Sequence, residues 1–260
     1  SILKAKEILL NDGVVGIPTE TVYGLAASIQ SAKGIENIFK TKERPFFDPL
    51  IVHVSTISQA KQQASQWFDI CDILAHEFWP GPMTMILPKS AAINNMITSG
   101  LDSVGIRIPK HKLAIELIET LGHPIAAPSA NKFKKTSPTN AQHVRNEFPD
   151  IQVIDGGSCE IGIESTVLGV TQNKVQIFRP GMLTKSLLEE LFQKHGKKVD
   201  IEYTQSPVAP GHLKHHYMPN LPIVCSWDNA INDTSTTTSI PQDILNSPQY
   251  WILPTDPTLT

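Results

Sequence analysis

The chain has 260 residues, 40% of them hydrophobic and 18% charged, a balance that supports a packed core and excludes global disorder. Its formal net charge of −3 offers no general attraction for nucleic acid or an anionic membrane, so any basic footprint has to be local. No run approaches the roughly 18 apolar residues that span a bilayer and no signal-peptide pattern opens the chain, so no membrane partner and a cytoplasmic location are expected.

In chain order, Ile2, Ala5, Ile8 and Leu9 share one helical face, with Gly13 as a stop, and Val14 to Ile17 then reads as a short buried strand. A short helix is predicted over 33–41 and a second buried strand over 50–54. Helices follow over 57–66 and 69–78. Strands are predicted over 83–87, 104–108 and 124–127, with a helix over 111–121 between the last two and another over 139–147. Strands over 151–154, 166–170 and 175–178 precede an amphipathic helix over 184–195. Strands and helices interleave without strict βαβ alternation. The expected fold class is therefore α/β, a twisted, mostly mixed β-sheet with packed helices.

Composition changes after about residue 203. Pro207, Pro210, Gly211, Pro219 and Pro222 mark 204–222 as an extended linker, and 223–260, with the low-complexity run 233–239, is too short for an independent domain. The expected organisation is a catalytic domain over 1–203, a linker or lid over 204–222 and a C-terminal tail or truncated second domain over 223–260.

Five apolar stretches run into a proline and then into polar or cationic residues, at Ile17-Pro18-Thr19, Leu87-Pro88-Lys89, Ile108-Pro109-Lys110, Ala127-Pro128-Ser129 and Phe178-Arg179-Pro180. Proline has no N–H for a sheet ladder and fixes its φ, so each junction marks a strand end turned into a rigid loop. Ligands of open α/β sheets sit beyond strand ends, and these loops offer hydroxyls, an amide and cations to an anionic ligand.

Lys42 and Arg44, one residue apart in a predicted loop before a buried strand, form either a clamp for phosphate or carboxylate oxygens or a solvated charged loop. His53 lies in a β-branched strand on the face opposite Val52 and Val54, as a satisfied core residue or a ligand contact. Ser129 and Asn131 offer a hydroxyl and an amide from one turn, followed by Lys132, Lys134 and Lys135. Arg107 interrupts an apolar strand, and a buried guanidinium needs a partner, from this chain or from a substrate; Arg179 poses the same question.

No GxxxxGK[ST] loop, GxGxxG fingerprint or GxSxG elbow is present. The cysteines Cys71, Cys159 and Cys225 form no CxxC pair, which excludes a cysteine-rich zinc site and points to a reducing compartment. His212, His215 and His216 lack a carboxylate or cysteine at helical spacing, so no protein-built metal site is expected.

Taken together, the chain resembles the YrdC-type threonylcarbamoyl-AMP synthase family in its longer, linker-bearing form. The motifs that carry the resemblance are Pro18-Thr19-Glu20-Thr21-Val22-Tyr23-Gly24, Lys42-x-Arg44-Pro45, Gly105-x-Arg107, Pro128-Ser129-Ala130-Asn131, Ser137-Pro138-Thr139, Glu164-Ser165-Thr166 and Arg179-Pro180-Gly181, continuing to His216-Tyr217-x-Pro219 in the linker. The resemblance implies condensation of L-threonine, bicarbonate and ATP, with Mg²⁺ accompanying ATP, and a product used by a separate tRNA-modifying transferase complex. It implies catalytic roles for Lys42 and Arg44, ATP contacts from these two with Ser129, Asn131, Ser137, Arg179 and Tyr217, and threonine contacts from Thr19, His53, Arg107 and Ser165. Arg107 would pair the threonine carboxylate as a fork, and no residue stands out as a general base. An RNA-binding module using the lysine clusters, with direct tRNA contact, and a carbamoyl-transfer domain of the same fold are the alternatives.

Overall fold

The computed structural model describes residues 1–204; the predicted linker beyond its first residue, the tail and Tyr217 lie outside them. Helix α1 (Ile2–Leu10) leads into strand β1 (Val15–Ile17), which turns through Pro18 to Tyr23 into β2 (Gly24–Ser28). Helix α2 (Ala32–Lys42) starts where the Ser31 hydroxyl accepts the Gly34 amide at 2.7 Å, and ends where Glu43 adopts a left-handed conformation (φ 52°). Then come β3 (Ile51–His53), α3 (Ile57–Gln63), α4 (Asp69–Phe78), β4 (Met83–Pro88) and β5 (Ser103–Arg107). Helix α5 (Lys112–Leu121) closes on Gly122 at φ 84°, a left-handed cap that favours glycine. The remaining elements are β6 (Ile125–Ala126), α6 (Ala141–Glu147), β7 (Gln152–Val153), β8 (Thr166–Val170), β9 (Lys174–Arg179), α7 (Lys185–Lys194) and β10 (Asp200–Tyr203). None of the described helices is long and apolar enough to cross a membrane.

The ten strands form one mixed sheet in the order β10-β9-β8-β4-β5-β3-β6-β2-β1-β7. Pairs β3–β5, β4–β8, β1–β7 and β9–β10 are parallel, and the others are antiparallel. The apolar side chains divide into two cores. Ala5 and Leu9 of α1 and Leu117 and Ile118 of α5 pack with Ile17, Ala26 and Ile125, whereas Ile35 and Phe39 of α2 and Leu74 of α4 join a larger core with Leu25, Met85, Ile106 and Leu168. The α/β, mixed-sheet expectation therefore holds.

Two strands escape the periodicity. Strand β2 sends Leu25 and Ala27 into the larger core and Ala26 into the smaller one, so it is buried on both faces and its Gly-Leu-Ala-Ala-Ser sequence shows no alternation. Strand β10 is a short edge strand with a single core residue, Ile201. A third difference concerns the site: Lys42 is the last residue of α2 rather than part of a loop, and the left-handed Glu43 turns the backbone so that Lys42 and Arg44 are both buried.

The backbone after β9 packs tightly against the entry to β8. A Cβ added to Gly181 would lie 2.7 Å from the Thr166 amide nitrogen and 2.8 Å from the Glu164 carbonyl oxygen, which are backbone atoms unable to rotate away. Gly181→Ala is expected to cost about 1–3 kcal/mol of stability by overpacking. Denaturant unfolding measures this, and an unchanged midpoint contradicts the close approach.

Candidate active site

A cleft with about 550 Å³ of empty space, open solvent at its mouth included, lies on the sheet at β3, where Ile51 and His53, two residues apart, face it. Val52, between them, is in the core. The turn after β1 contributes Thr19 and Thr21, the segment after β6 contributes Pro128 and Ser129, and the entry to β8 contributes Glu164 and Ser165. Arg44 comes from the turn after α2, Arg107 from the end of β5 and Arg179 from the end of β9. Three proline-ended junctions thus reach the cleft, and Arg107 enters two residues before Pro109. The fifth does not: Lys89 instead donates to Asn95 Oδ1 at 2.6 Å and Thr98 Oγ1 at 3.2 Å.

Each guanidinium in the cleft is held by a carboxylate of this chain. Arg44 pairs with Asp48 at 2.9 Å and also donates to the Asp48 and Pro49 carbonyls at 3.1 and 2.9 Å. Arg107 donates from Nη2 to Glu20 Oε1 at 2.6 Å and Thr21 Oγ1 at 2.9 Å, and from Nε to the Gly81 carbonyl at 3.3 Å. Arg179 pairs with Glu164, and donates to the Ser165 carbonyl and hydroxyl, each at 3.1 Å. Paired, multiply bonded guanidiniums tolerate burial, and their donors are fixed in direction before any ligand arrives. The partner that Arg107 requires is therefore Glu20, whose second oxygen accepts the Lys110 amide at 2.9 Å.

Lys42 does not line the cleft. Its ammonium donates to the Ser129 carbonyl at 2.5 Å and to the Asn131 carbonyl, tying the end of α2 to the turn that carries both residues. Burial, helped by the nearby Arg44 cation, pushes its pKa down to about 7. Thr19 Oγ1 donates to the Val22 carbonyl at 2.6 Å and lies 2.9 Å from Thr21 Oγ1, which fixes the turn after β1.

His53 is 3% exposed, and burial together with Arg107 lowers its pKa to about 3, so the imidazole is neutral. Nδ1 contacts the Ile51 carbonyl at 3.3 Å; a carbonyl only accepts, so the proton belongs on Nδ1 and Nε2 keeps its lone pair. A neutral acceptor with so low a pKa suits recognition of a hydroxyl or amine hydrogen and is a poor proton acceptor for catalysis.

Of the sequence-predicted residues, Thr19, Arg44, His53, Arg107, Ser129, Ser165 and Arg179 meet in this cleft. Asn131 and Ser137 line a second, open cavity with His143 and Glu147. Asn131 donates to the Lys132 and Lys135 carbonyls at 2.8 and 2.9 Å, while its buried Oδ1 has no hydrogen-bond partner among the described residues. Ser137 donates to Glu164 Oε1 at 2.8 Å and so links the two cavities. The residues that sequence reasoning did not assign are Glu20, Asp48 and Glu164. For Glu20 and Glu164 the signal was present, since Arg107 and Arg179 in apolar strands demanded counter-charges, but only the strand order shows which carboxylate answers; Asp48, four residues from Arg44, answers a charge that did not stand out in its polar segment. Lys132 of the basic run pairs with Glu43 at 2.6 Å and Lys134 sits 5.6 Å from the Phe133 ring centre, contacts of an ordinary solvated surface.

Fold and cleft together define a class: a mixed α/β domain whose loops carry three carboxylate-paired arginines to one hollow. A family model described as Telomere recombination, covering Sua5, YciO and YrdC, matches residues 7–181, and the chain belongs to that family. The threonylcarbamoyl-AMP synthase of Pyrococcus abyssi is 40% identical over 220 residues, covering 81% of this chain and 63% of the relative. The enzyme of that name from Bacillus subtilis is 40% identical over 226 residues, covering 85% and 65%. The chain thus spans a little under two thirds of the length of these relatives. The crystal structure of P. abyssi Sua5 complexed with L-threonine superposes with a TM-score of 0.78 at 38% identity, covering 85% of this chain and 66% of that one. Escherichia coli YciO shares the fold, with a TM-score of 0.61 at 20% identity.

The His53 assignment has a spectroscopic consequence. Its imidazole ¹⁵N shifts are expected to report the neutral Nδ1–H tautomer without titrating between about pH 5 and 8, and a midpoint near the ordinary value contradicts the assignment. Because the folded pKa lies below the unfolded 6.5, the unfolded chain binds the proton first as pH falls. Stability is therefore expected to decline from about pH 6.5 towards pH 3, and His53→Gln to remove part of that decline.

Proposed function

We propose that this chain condenses L-threonine, bicarbonate and ATP into threonylcarbamoyl-AMP with release of pyrophosphate. The observation that carries the reading is the convergence of Arg44, Arg107 and Arg179 on one cleft, in a chain similar to a threonine-complexed Sua5. The threonine amine adds to bicarbonate with loss of water to give a carbamate. A carbamate oxygen then attacks the α-phosphorus, and pyrophosphate leaves. All three reagents carry carboxylate, carbonate or phosphate oxygens, so the main task is to hold like charges together and stabilise the charge that develops at phosphorus.

Thr19, His53, Arg107 and Ser165 surround threonine in this reading. His53 Nε2 accepts a substrate hydrogen, and Arg107, with Nε and Nη2 committed to this chain, meets the carboxylate through Nη1. Arg44, Arg179 and Ser129 hold phosphates, while Asn131 and Ser137 hold the nucleotide in the second cavity. Lys42 acts through the turn it ties down, as a positioning residue. Mg²⁺ would accompany ATP; among the described residues no group of three or more His, Cys, Asp or Glu gathers. The product is a mixed anhydride prone to hydrolysis, handed on to the transferase complex that modifies tRNA in the cytoplasm.

Pyrophosphate release is expected only when threonine, bicarbonate and ATP are all present, and release that persists without threonine rules the reading out. Arg107→Lys is expected to lower kcat/KM for threonine about 10- to 100-fold, because an ammonium cannot satisfy Glu20, Thr21 and Gly81 while also facing a ligand.

A further inference from the structure

Glu164 is the sole carboxylate among the described residues lining the main cleft. It lies where an anionic ligand is expected. Ser137 donates to its Oε1 at 2.8 Å, and Arg179 Nη1 pairs with its Oε2. Ser137 belongs to the second cavity and Arg179 to the first, so the carboxylate stands at the junction of the two. It also contributes, after Asp48, to the electrostatic support of the Arg44 guanidinium, which Arg179 opposes as a like charge. A hydroxyl and a guanidinium donating to one carboxylate, with a second guanidinium near enough to feel its charge, resemble the donor set that recognises a phosphoryl group.

We propose that Glu164 is an internal counter-anion that occupies the phosphate position between Ser137 and Arg179 and thereby sets nucleotide affinity. Building on the synthase reading, a nucleoside triphosphate that spans both cavities has to take Ser137 and Arg179 from this carboxylate. The ligand-free cleft then keeps Arg44 and Arg179 neutralised and apart, at the cost of weaker phosphate binding. Glu164 touches neither reacting atom in this account, and it is a positioning residue that acts through Arg179.

The substitution Glu164→Gln separates this from a purely structural role, because it keeps the shape and removes the competing charge. Calorimetry on the full chain with inorganic pyrophosphate, and with a non-hydrolysable ATP analogue, is expected to show about tenfold tighter binding in the variant. Unchanged or weaker binding overturns the proposal, as does a failure of both proteins to bind pyrophosphate. Should the variant not fold, a crystal structure of the natural chain soaked in pyrophosphate decides. The Glu164 carboxylate displaced from Ser137 and Arg179 supports the proposal, and a carboxylate still bound to both beside an occupied site overturns it. Tighter pyrophosphate binding by the variant, with no threonine-dependent release by the natural chain, removes the synthase reading and leaves the counter-anion in place.

Discussion

The cleft exists because three guanidinium groups are each paired with a carboxylate before any ligand arrives. The whole chain has four arginines, and Arg44, Arg107 and Arg179 line one cavity while Arg145 pairs with Asp155 elsewhere. Three unpaired cations converging in a half-dry hollow would repel one another and lose hydration, at several kcal/mol each. Asp48, Glu20 and Glu164 remove that cost and leave the cleft close to neutral, with its donors already aimed. Preorganisation of this kind supplies transition-state stabilisation without reorientation during the reaction.

The pairs also explain why the site depends on the complete sheet. Asp48 is local to Arg44, but Glu20 reaches Arg107 only because the turn after β1 lies beside the end of β5, and Glu164 reaches Arg179 because β8 and β9 are neighbours. Backbone ties complete the frame. Tyr23 donates its hydroxyl to the Gly157 carbonyl at 2.7 Å and accepts the Gly156 amide at 3.0 Å, and the Ile161 and Gly162 amides bond the Glu20 and Thr21 carbonyls. The loop that carries Glu164 is thus sewn to the turn that carries Thr19.

Much of this was legible in the sequence, for identifiable reasons. Helices α2, α5 and α7 announce themselves by apolar spacing and caps and α4 by apolar spacing alone, and the proline junctions mark where strands stop. Strand β2 was silent because burial on both faces erases alternation, and β10 because an edge strand holding only Ile201 carries too little pattern. Lys42 and Arg44 read locally as either an anion clamp or a solvated charged loop. Their burial follows from Glu43, whose left-handed backbone no local rule specified. Arg107 and Arg179 were recognisable as charges in need of partners. Glu20, 87 residues from Arg107 in sequence, could be named only once the strands were in order.

Arginine side-chain ¹⁵N NMR of the ligand-free chain tests the preorganised cleft most directly, with Arg145, whose pair with Asp155 is open to solvent, as an internal comparison. The account requires hindered guanidinium rotation, seen as distinct Nη resonances, for Arg44, Arg107 and Arg179, against one averaged signal for Arg145. Averaged signals for all four would mean that the carboxylate pairs do not hold the cleft in place.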